Sequence, residues 1–572
     1  MPSPTLPAVP SVAAILPAAH GCAVHAAGTT RLLPWAVAAQ LLDDPGLTVH
    51  TVSPGELSPW DGERLLCAVA AGDPAATRLL AGPWPPQRHQ VQELPRHPRR
   101  WLRTVDLGVM VGDLDAACCR RGLPLPGGDA LREVATIARL AEAERGGLAV
   151  RQRLLDDHPW IGDSAWLAST GLLAETVVLQ GLRRDQVRRA VAPAAMPVTE
   201  LLGAARFDAR RDDVRAAMRS ILDGEVRWNE RGHLSLRPAA GWQLTAGGVA
   251  LACGVGGLHS ADHPGVVDGP LTDLDVASYY PSLIAHDGIA PPQLPDFAHR
   301  VGTLMARRLA AKRAKDQVAS NALKYVINSL YGQLGNHRSG LFSPPDALRV
   351  VLTGQLRLLE LIDGVLSGGG SIVSVNTDGV VVRGEAEAAA AAWEARTGLT
   401  LERTPYRRLW RTSVNDYIAA GPDGAVVKTK GRFAGGDDED ATRMAAAPIV
   451  ARAALEHLVH GRPIAAVVAH ATAITDFALW RRARDLAWGG RPVDGSVIRW
   501  VVGRSGEPIV QLDGGRIRST VAAHAIVVDD PAAVDAALID RAWYVAEAQV
   551  LADRVLGTDQ GTRQLSLLDE QI

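Results

Sequence analysis

The segment Leu271-Thr-Asp-Leu-Asp-Val276 alternates apolar and polar residues, the pattern of a strand with one buried face. Side chains two positions apart share a face, so Asp273 and Asp275 project together. The strand runs directly into Ala277-Ser-Tyr-Tyr-Pro281, where proline removes a ladder donor and turns the chain. A carboxylate at such a strand end is placed to hold a divalent cation against a phosphate, because Mg²⁺ takes one or two carboxylates together with substrate oxygens. A solvated or capping carboxylate is the other reading of the same pattern.

Two later segments narrow the choice. Lys324-Tyr-Val-Ile-Asn328-Ser-Leu-Tyr331-Gly332 predicts a helix with Lys324, Asn328 and Tyr331 at i, i+4 and i+7 on one face, and Gly332 as its stop. Ser371-Ile-Val-Ser-Val375-Asn-Thr-Asp378-Gly379-Val-Val-Val382 predicts a hairpin with Asp378 at its tip. Asn, Asp and Gly also build such turns for conformational reasons alone.

In this order DVASYYPS, KYVINSLYG and VNTDG resemble the polymerase motifs of family B DNA polymerases, D-x-x-S-L-Y-P-S, K-x3-N-S-x-Y-G and Y-x-D-T-D-S. The second match is nearly complete and the most specific. The resemblance covers residues 250–435 well and the flanks faintly. It implies an α/β and α+β multidomain chain with a right-hand polymerase. An exonuclease-like, RNase H-like region would span 1–245, and the palm 246–300 and 339–436. Short two-helix fingers would span 301–338, a thumb 437–556 and a flexible tail 557–572.

The same resemblance implies that Asp275 and Asp378 are catalytic and hold two Mg²⁺ ions, with Mn²⁺ as a substitute. Asn376 stands where the family has the first Asp of D-T-D, and Gly379 where it has Ser; the ligand role falls mainly on the second Asp, present as Asp378. For the dNTP, Arg308, Lys312 and Lys324 would cradle the triphosphate while Asn328 and Tyr331 line the nascent base pair. Tyr280 would lie under the sugar and exclude a ribose 2′-hydroxyl. The implied activity is template-directed extension of a primer 3′ end with dNTPs on primer–template DNA. A primase-like or template-independent nucleotidyltransferase, and an inert nucleic-acid-binding relative, are the alternatives.

A formal net charge of −2 over 572 residues gives no global attraction to nucleic acid, so any such site is a local patch. One lies between Arg300 and Arg338, where eight Arg or Lys residues meet a single acid, Asp316. Val301 to Gln317 predicts one helix with Arg308, Lys312 and Lys315 on one face, for which a solvated basic face is the alternative. The shortness of this region leaves no space for the insertion that protein-primed family members carry, so the resemblance favours a primer terminus.

Gly254-Val-Gly256-Gly257-Leu-His259-Ser260 lets backbone approach a phosphate chain closely, although an interdomain loop would read alike. It resembles the family's Gly-Gly motif, which touches the template strand, with Gly256 and Gly257 as the contacts. Val426-Val-Lys428-Thr-Lys430-Gly-Arg432-Phe433 predicts a strand with Lys428, Lys430 and Arg432 on one side. A lysine-guarded edge is the alternative; the resemblance implies a grip on the primer duplex.

The flanks carry fewer signals. Residues 1–30, rich in Pro and Ala, suggest a partly unordered start, and 31–245 a mixed α/β region. The only D-x-E in the first hundred residues, Asp61-Gly-Glu63, reads as a helix start. Glu133 stands where the last exonuclease motif would have Asp, so loss of the exonuclease ligands and of proofreading is expected. Asp437-Asp-Glu-Asp440 suggests a linker, and 441–556 a mostly helical region with a β excursion near Val497–Val528.

Five cysteines form neither metal-ligand spacing nor a disulfide framework. With no basic leader and no apolar span, the chain is expected in the cytoplasm of a bacterial or phage-infected cell, without a membrane partner. In the tail, Gln564-Leu565-Ser-Leu567-Leu568 resembles the bacterial sliding-clamp-binding peptide Q-L-[SD]-L-F. Docking on the protein's own surface is the alternative.

Overall fold

The computed structural model describes residues 113–126, 130–161, 169–182, 187, 194–228, 234–237, 241–261, 264–435, 444, 446–493 and 495–558, together with five strands nearer the N-terminus. Those strands are β1 (Ser11–Ala18), β2 (Gly21–Ala26), β3 (Thr29–Leu33), β4 (Leu47–Thr51) and β5 (Thr104–Asp106). They form one sheet in the order β3-β2-β1-β4-β5, antiparallel through β1–β3 and parallel from β1 to β4 and β5. The expectation of a partly unordered start is therefore corrected over 11–18 and 21–26, while 1–10 lie outside the described residues. Val12, Ile15, Leu16 and Val24 supply apolar and β-branched side chains that suit a sheet despite the Ala and Pro around them.

Helix α1 (Leu114–Arg120) follows, then α2 (Ala130–Ala143), which lies against β1 and β2. Glu133 falls on α2, and its side chain, like Asp61 and Glu63, lies outside the described residues. Helices α3 (Arg145–Asp157) and α4 (Thr170–Leu179) pack on a later helix over 317–335. Two polar ties fix them there. Arg153 Nη1 bonds Asp316 Oδ2 at 2.8 Å, and the buried Glu175 carboxylate accepts from Ser339 Oγ and the Gly340 N–H, both at 3.0 Å.

A small sheet of β6 (Ala195–Pro197), β7 (Glu225–Trp228) and β8 (Leu234–Arg237) and the meander β9 (Trp242–Ala246), β10 (Val249–Cys253) and β11 (Leu258–Ser260) lead to the central sheet. Its strands are β12 (Gly265–Val276), β13 (Ser371–Asn376), β14 (Gly379–Arg383), β15 (Leu401–Ser413), β16 (Asp416–Ala420) and β17 (Val426–Lys430). All pair antiparallel, in the order β13-β14-β12-β15-β16-β17. Between Asp268 and Leu271 the register of β12 against β15 shifts. A bulge of this kind bends and twists a strand, and Lys428 of β17 comes within 3.2 Å of Asp273 on β12.

Between β12 and β13 stand α5 (Tyr279–His286), α6 (Phe297–Arg313), α7 (Gln317–Gly335) and α8 (Pro344–Ser367). The basic helix thus stops at Arg313, not at Gln317; Lys315 takes φ 57° in the turn, and the Asp316 side chain caps α7 by accepting from Ala319 N–H. Gly332 does not stop α7, which continues to Gly335. Buried Gln333 and Leu334 hold that last turn, and tertiary packing outweighs glycine's cost.

Helix α8 is buried nearly all round, as a helix crossing a core must be. It packs against α5, α7, β13 and β14. Leu352, Leu356 and Leu359 are fully buried, so truncating one to Ala costs about 2–5 kcal/mol. This core supports the strand ends that carry the acidic residues.

A second core gathers Trp410, Ile418 and Phe433 with residues from 447 to 555. It holds α9 (Pro448–His460), the strands β18 (Leu479–Arg482), β19 (Leu486–Trp488) and β20 (Arg491–Pro492), the long hairpin β21 (Val497–Asp513) and β22 (Arg516–Val527), and α10 (Arg541–Leu556). Strand content therefore begins at Leu479, well before the expected Val497, and this region is not mostly helical. Arg499 on β21 is fully buried. It donates to the carbonyls of Leu123, Val528 and Asp529 at 2.8–3.0 Å, clasping the segment after α1 onto the hairpin. Among the described residues no helix is long and apolar enough to cross a membrane.

Candidate active site

Asp275, the penultimate residue of β12, stands opposite Gly379 of β14, and Val276 N–H donates to the Asp378 carbonyl at 2.8 Å. The two carboxylates predicted from separate segments thus share one end of the sheet. Gly379 permits this approach, because a Cβ there would lie 3.0 Å from the Leu274 carbonyl oxygen and 3.3 Å from Asp275 Cα. Asn376 turns to structural work. Its Oδ1 accepts from Thr377 N–H at 3.0 Å and its Nδ2 donates to Asn415 Oδ1 at 3.2 Å, holding the hairpin turn in place.

The glycine loop touches the same turn. Gly257 has φ +136°, and a Cβ there would sit 2.8 Å from Thr377 Oγ1, whereas Gly256 faces open space. Ser260 Oγ accepts from Val375 N–H at 3.0 Å, and His259 Nε2 lies 3.4 Å from Thr377 Oγ1. His259 accordingly braces the turn.

Electrostatics mark Asp275 out. Burial, then the negative charge of Asp378, pushes its carboxyl up to about 6, with Lys428 opposing. Glu402, its register partner on β15, adds to the repulsion. Two carboxylates held together at such a cost fit a divalent cation, which would relieve their repulsion and complete its coordination with substrate oxygens. Among the described residues no group of three or more His, Cys, Asp or Glu forms a metal cluster.

Beyond β12, Ser278 adopts the left-handed region at φ 50° and accepts from Arg308 Nη1 at 2.8 Å. Arg308 Nε is buried without an acceptor among the described residues. A buried guanidinium donor left open is costly in itself and suits an anionic oxygen. Lys312, one turn on, is exposed.

Tyr279 and Tyr280 separate cleanly. Tyr279 is buried and donates to the Gly354 carbonyl, while the half-buried Tyr280 packs its ring 4.5 Å from that of Tyr331. Lys324 and Asn328 are exposed and line a cleft of about 720 Å³ whose other walls include Arg120, Glu144 and Arg151. Neither Asp275 nor Asp378 lines that cleft; Arg308 and Tyr280 sit at the turn after Asp275, with Tyr331 against Tyr280.

The basic strand is only partly as expected. It ends at Lys430, and Arg432 sits in a 3-10 turn, paired with Asp416 at 3.0 Å. Arg432 is thus a brace between β16 and the turn, because Gly431 at φ 58° redirects the chain. Lys428 points back to β12, 3.2 Å from Asp273 Oδ2 and 3.8 Å from Asp275 Oδ2. Lys430 is half-buried. The tail residues Gln564, Leu565, Leu567 and Leu568 lie outside the described residues. Sequence reasoning missed Glu402, Ser278 and Tyr406, whose places depend on strand register and on one left-handed residue.

No protein-family model matches the chain, and no curated protein matches it. Among solved structures, the family B DNA polymerase from the hyperthermophilic archaeon Pyrobaculum calidifontis is similar, at 15% sequence identity and a TM-score of 0.45. The similarity covers 98% of this chain and 80% of that one.

Proposed function

We propose that the chain is a template-directed DNA polymerase that extends a primer 3′ end with dNTPs. The observation that carries this reading is the pairing of Asp275 with Asp378 at one sheet end, beside a turn that seats Arg308 and Tyr280. Asp275 and Asp378 would hold Mg²⁺, which when bound supplies activation of the primer 3′-hydroxyl and charge neutralisation on the departing pyrophosphate.

The remaining roles belong to the chain itself. Arg308, fixed through Ser278, would offer its guanidinium, and Lys312 its ammonium, to the triphosphate. The Tyr280 ring, backed by Tyr331, limits the space beside the sugar. Gly256, open on the glycine loop, admits the template backbone. Lys324 and Asn328 would meet the nucleotide from the exposed face of α7. We further propose that the chain does not proofread. β1, the middle strand of the N-terminal sheet, reads SVAAILPA and carries no acid to begin a two-metal nuclease site.

Single-nucleotide extension on four templates that differ only in the first unpaired base tests the reading. Incorporation should follow the template base and require a divalent cation. Template-independent addition, or none at all from folded protein, contradicts it.

A further inference from the structure

Asp273 has no part in the chemistry above, yet it is 6% exposed and takes two donors on one oxygen. Tyr406 Oη lies 2.6 Å from Asp273 Oδ2 and Lys428 Nζ 3.2 Å from it. Lys428 comes from β17, the far edge of the sheet, and its ammonium reaches β12. A buried carboxylate normally has its partners close by. Here the partner is imported from three strands away and stops within 3.8 Å of Asp275.

We propose that Asp273, supported by Tyr406, is a positioning residue that moors the Lys428 ammonium beside Asp275 as a tethered cation competing with the divalent ion. This rests on the reading of Asp275 and Asp378 as the cation-binding pair. Two opposing pulls act on one ammonium. Asp275 attracts it into the space a divalent ion would use, and Asp273 holds it back on the buried side of the strand. Loss of Asp273's charge leaves Asp275 as the nearest carboxylate for Lys428, which then occupies the cation position more fully. Loss of the ammonium frees Asp275 altogether. The two substitutions therefore act in opposite directions, which a purely structural role for either residue does not produce.

The test measures Mn²⁺ binding to the full-length protein without DNA or nucleotide, from the free-Mn²⁺ electron paramagnetic resonance signal. Lys428→Met is expected to tighten binding and Asp273→Asn to weaken it, each on the order of tenfold, the scale of one close charge contact in a partly solvated site. Asn at 273 also removes a negative charge near the ion, so the double variant decides between causes. In the Lys428→Met background, Asp273→Asn should change the affinity by less than about twofold, because the two residues act through one contact. Thermal melts confirm folding, and Lys428→Gln replaces Lys428→Met if that variant unfolds. Equal weakening by Asp273→Asn in both backgrounds, or no tightening without the lysine, overturns the proposal. Asp275→Asn serves as the reference. Unchanged Mn²⁺ binding in that variant removes the cation-site reading itself.

Discussion

The backbone N–H of Val276 donates to the carbonyl oxygen of Asp378 at 2.8 Å, so the strand that carries Asp275 and the turn that carries Asp378 close on each other. Residues a hundred positions apart become neighbours through a single antiparallel register. Everything around the pair serves that closure: Gly379 leaves room for it, Asn376 fixes the turn, and Gly257 lets the glycine loop lie against Thr377.

Asp275 links the site to stability. Its carboxyl is pushed from 3.8 to about 6 in the folded protein. Between those values the folded chain keeps a proton that the unfolded chain has lost. Raising pH through about 4 to 6 strips that proton from the native state and lowers stability. Without divalent cation, the melting temperature should show a loss across this window that Asp275→Asn lacks. Above pH 6, Mg²⁺ should raise the wild-type melting temperature and leave that of Asp275→Asn unmoved. A wild-type protein insensitive to Mg²⁺ at pH 7.5 would contradict the assignment.

Tyr280 stands on Tyr331 at 4.5 Å while Tyr279 is committed to Gly354. Tyr280→Ala should raise ribonucleotide incorporation relative to deoxynucleotide by on the order of a hundredfold, since lost steric exclusion is a lost difference in transition-state binding. Use of dNTPs should fall only modestly. Single-turnover incorporation of matched rNTP and dNTP checks this, and unchanged sugar discrimination removes the role.

Proofreading should be absent. β1 carries no carboxylate, and the sequence has Glu133 where the resemblance would put an aspartate. A 3′-mismatched primer incubated with Mg²⁺ and no dNTPs should stay at full length. Steady shortening by one nucleotide would show that carboxylates elsewhere in the N-terminal region assemble a nuclease.

Arg499 predicts a stability effect remote from the site. Its guanidinium satisfies carbonyls on both sides of the junction between the N-terminal region and the β21–β22 hairpin. Arg499→Met leaves the Leu123 and Val528 carbonyls without those donors and should cost about 2–4 kcal/mol. Urea unfolding should show a lower midpoint, while metal binding at Asp275 stays unchanged.

Much of this was legible in local pattern. Alternation marked the end of β12, the Asn-Thr-Asp-Gly turn marked the β13–β14 hairpin, and the i, i+4, i+7 spacing marked α7. Pairing register was not. Glu402 stands opposite Asp275 only because β15 aligns as it does, and Lys428 reaches Asp273 from across two intervening strands. Boundaries moved where one backbone angle or one buried face overrode propensity. Lys315 and Gly431 redirect the chain at positive φ, and packing carries α7 through Gly332. The strands at Leu479–Pro492 escaped notice because they are only two to four residues long.

The most direct test of the whole account is primer extension by Asp378→Ala and Asp275→Ala, with duplex binding measured on the same preparations. Each variant should lose nucleotide addition by at least about a thousandfold, since on the proposed reading each removes a cation ligand at the reacting centre. Affinity for primer–template DNA should hold within about threefold, because it rests on many phosphate contacts. Near-normal extension by folded Asp378→Ala would show that the β13–β14 turn is only a turn and that the catalytic centre lies elsewhere.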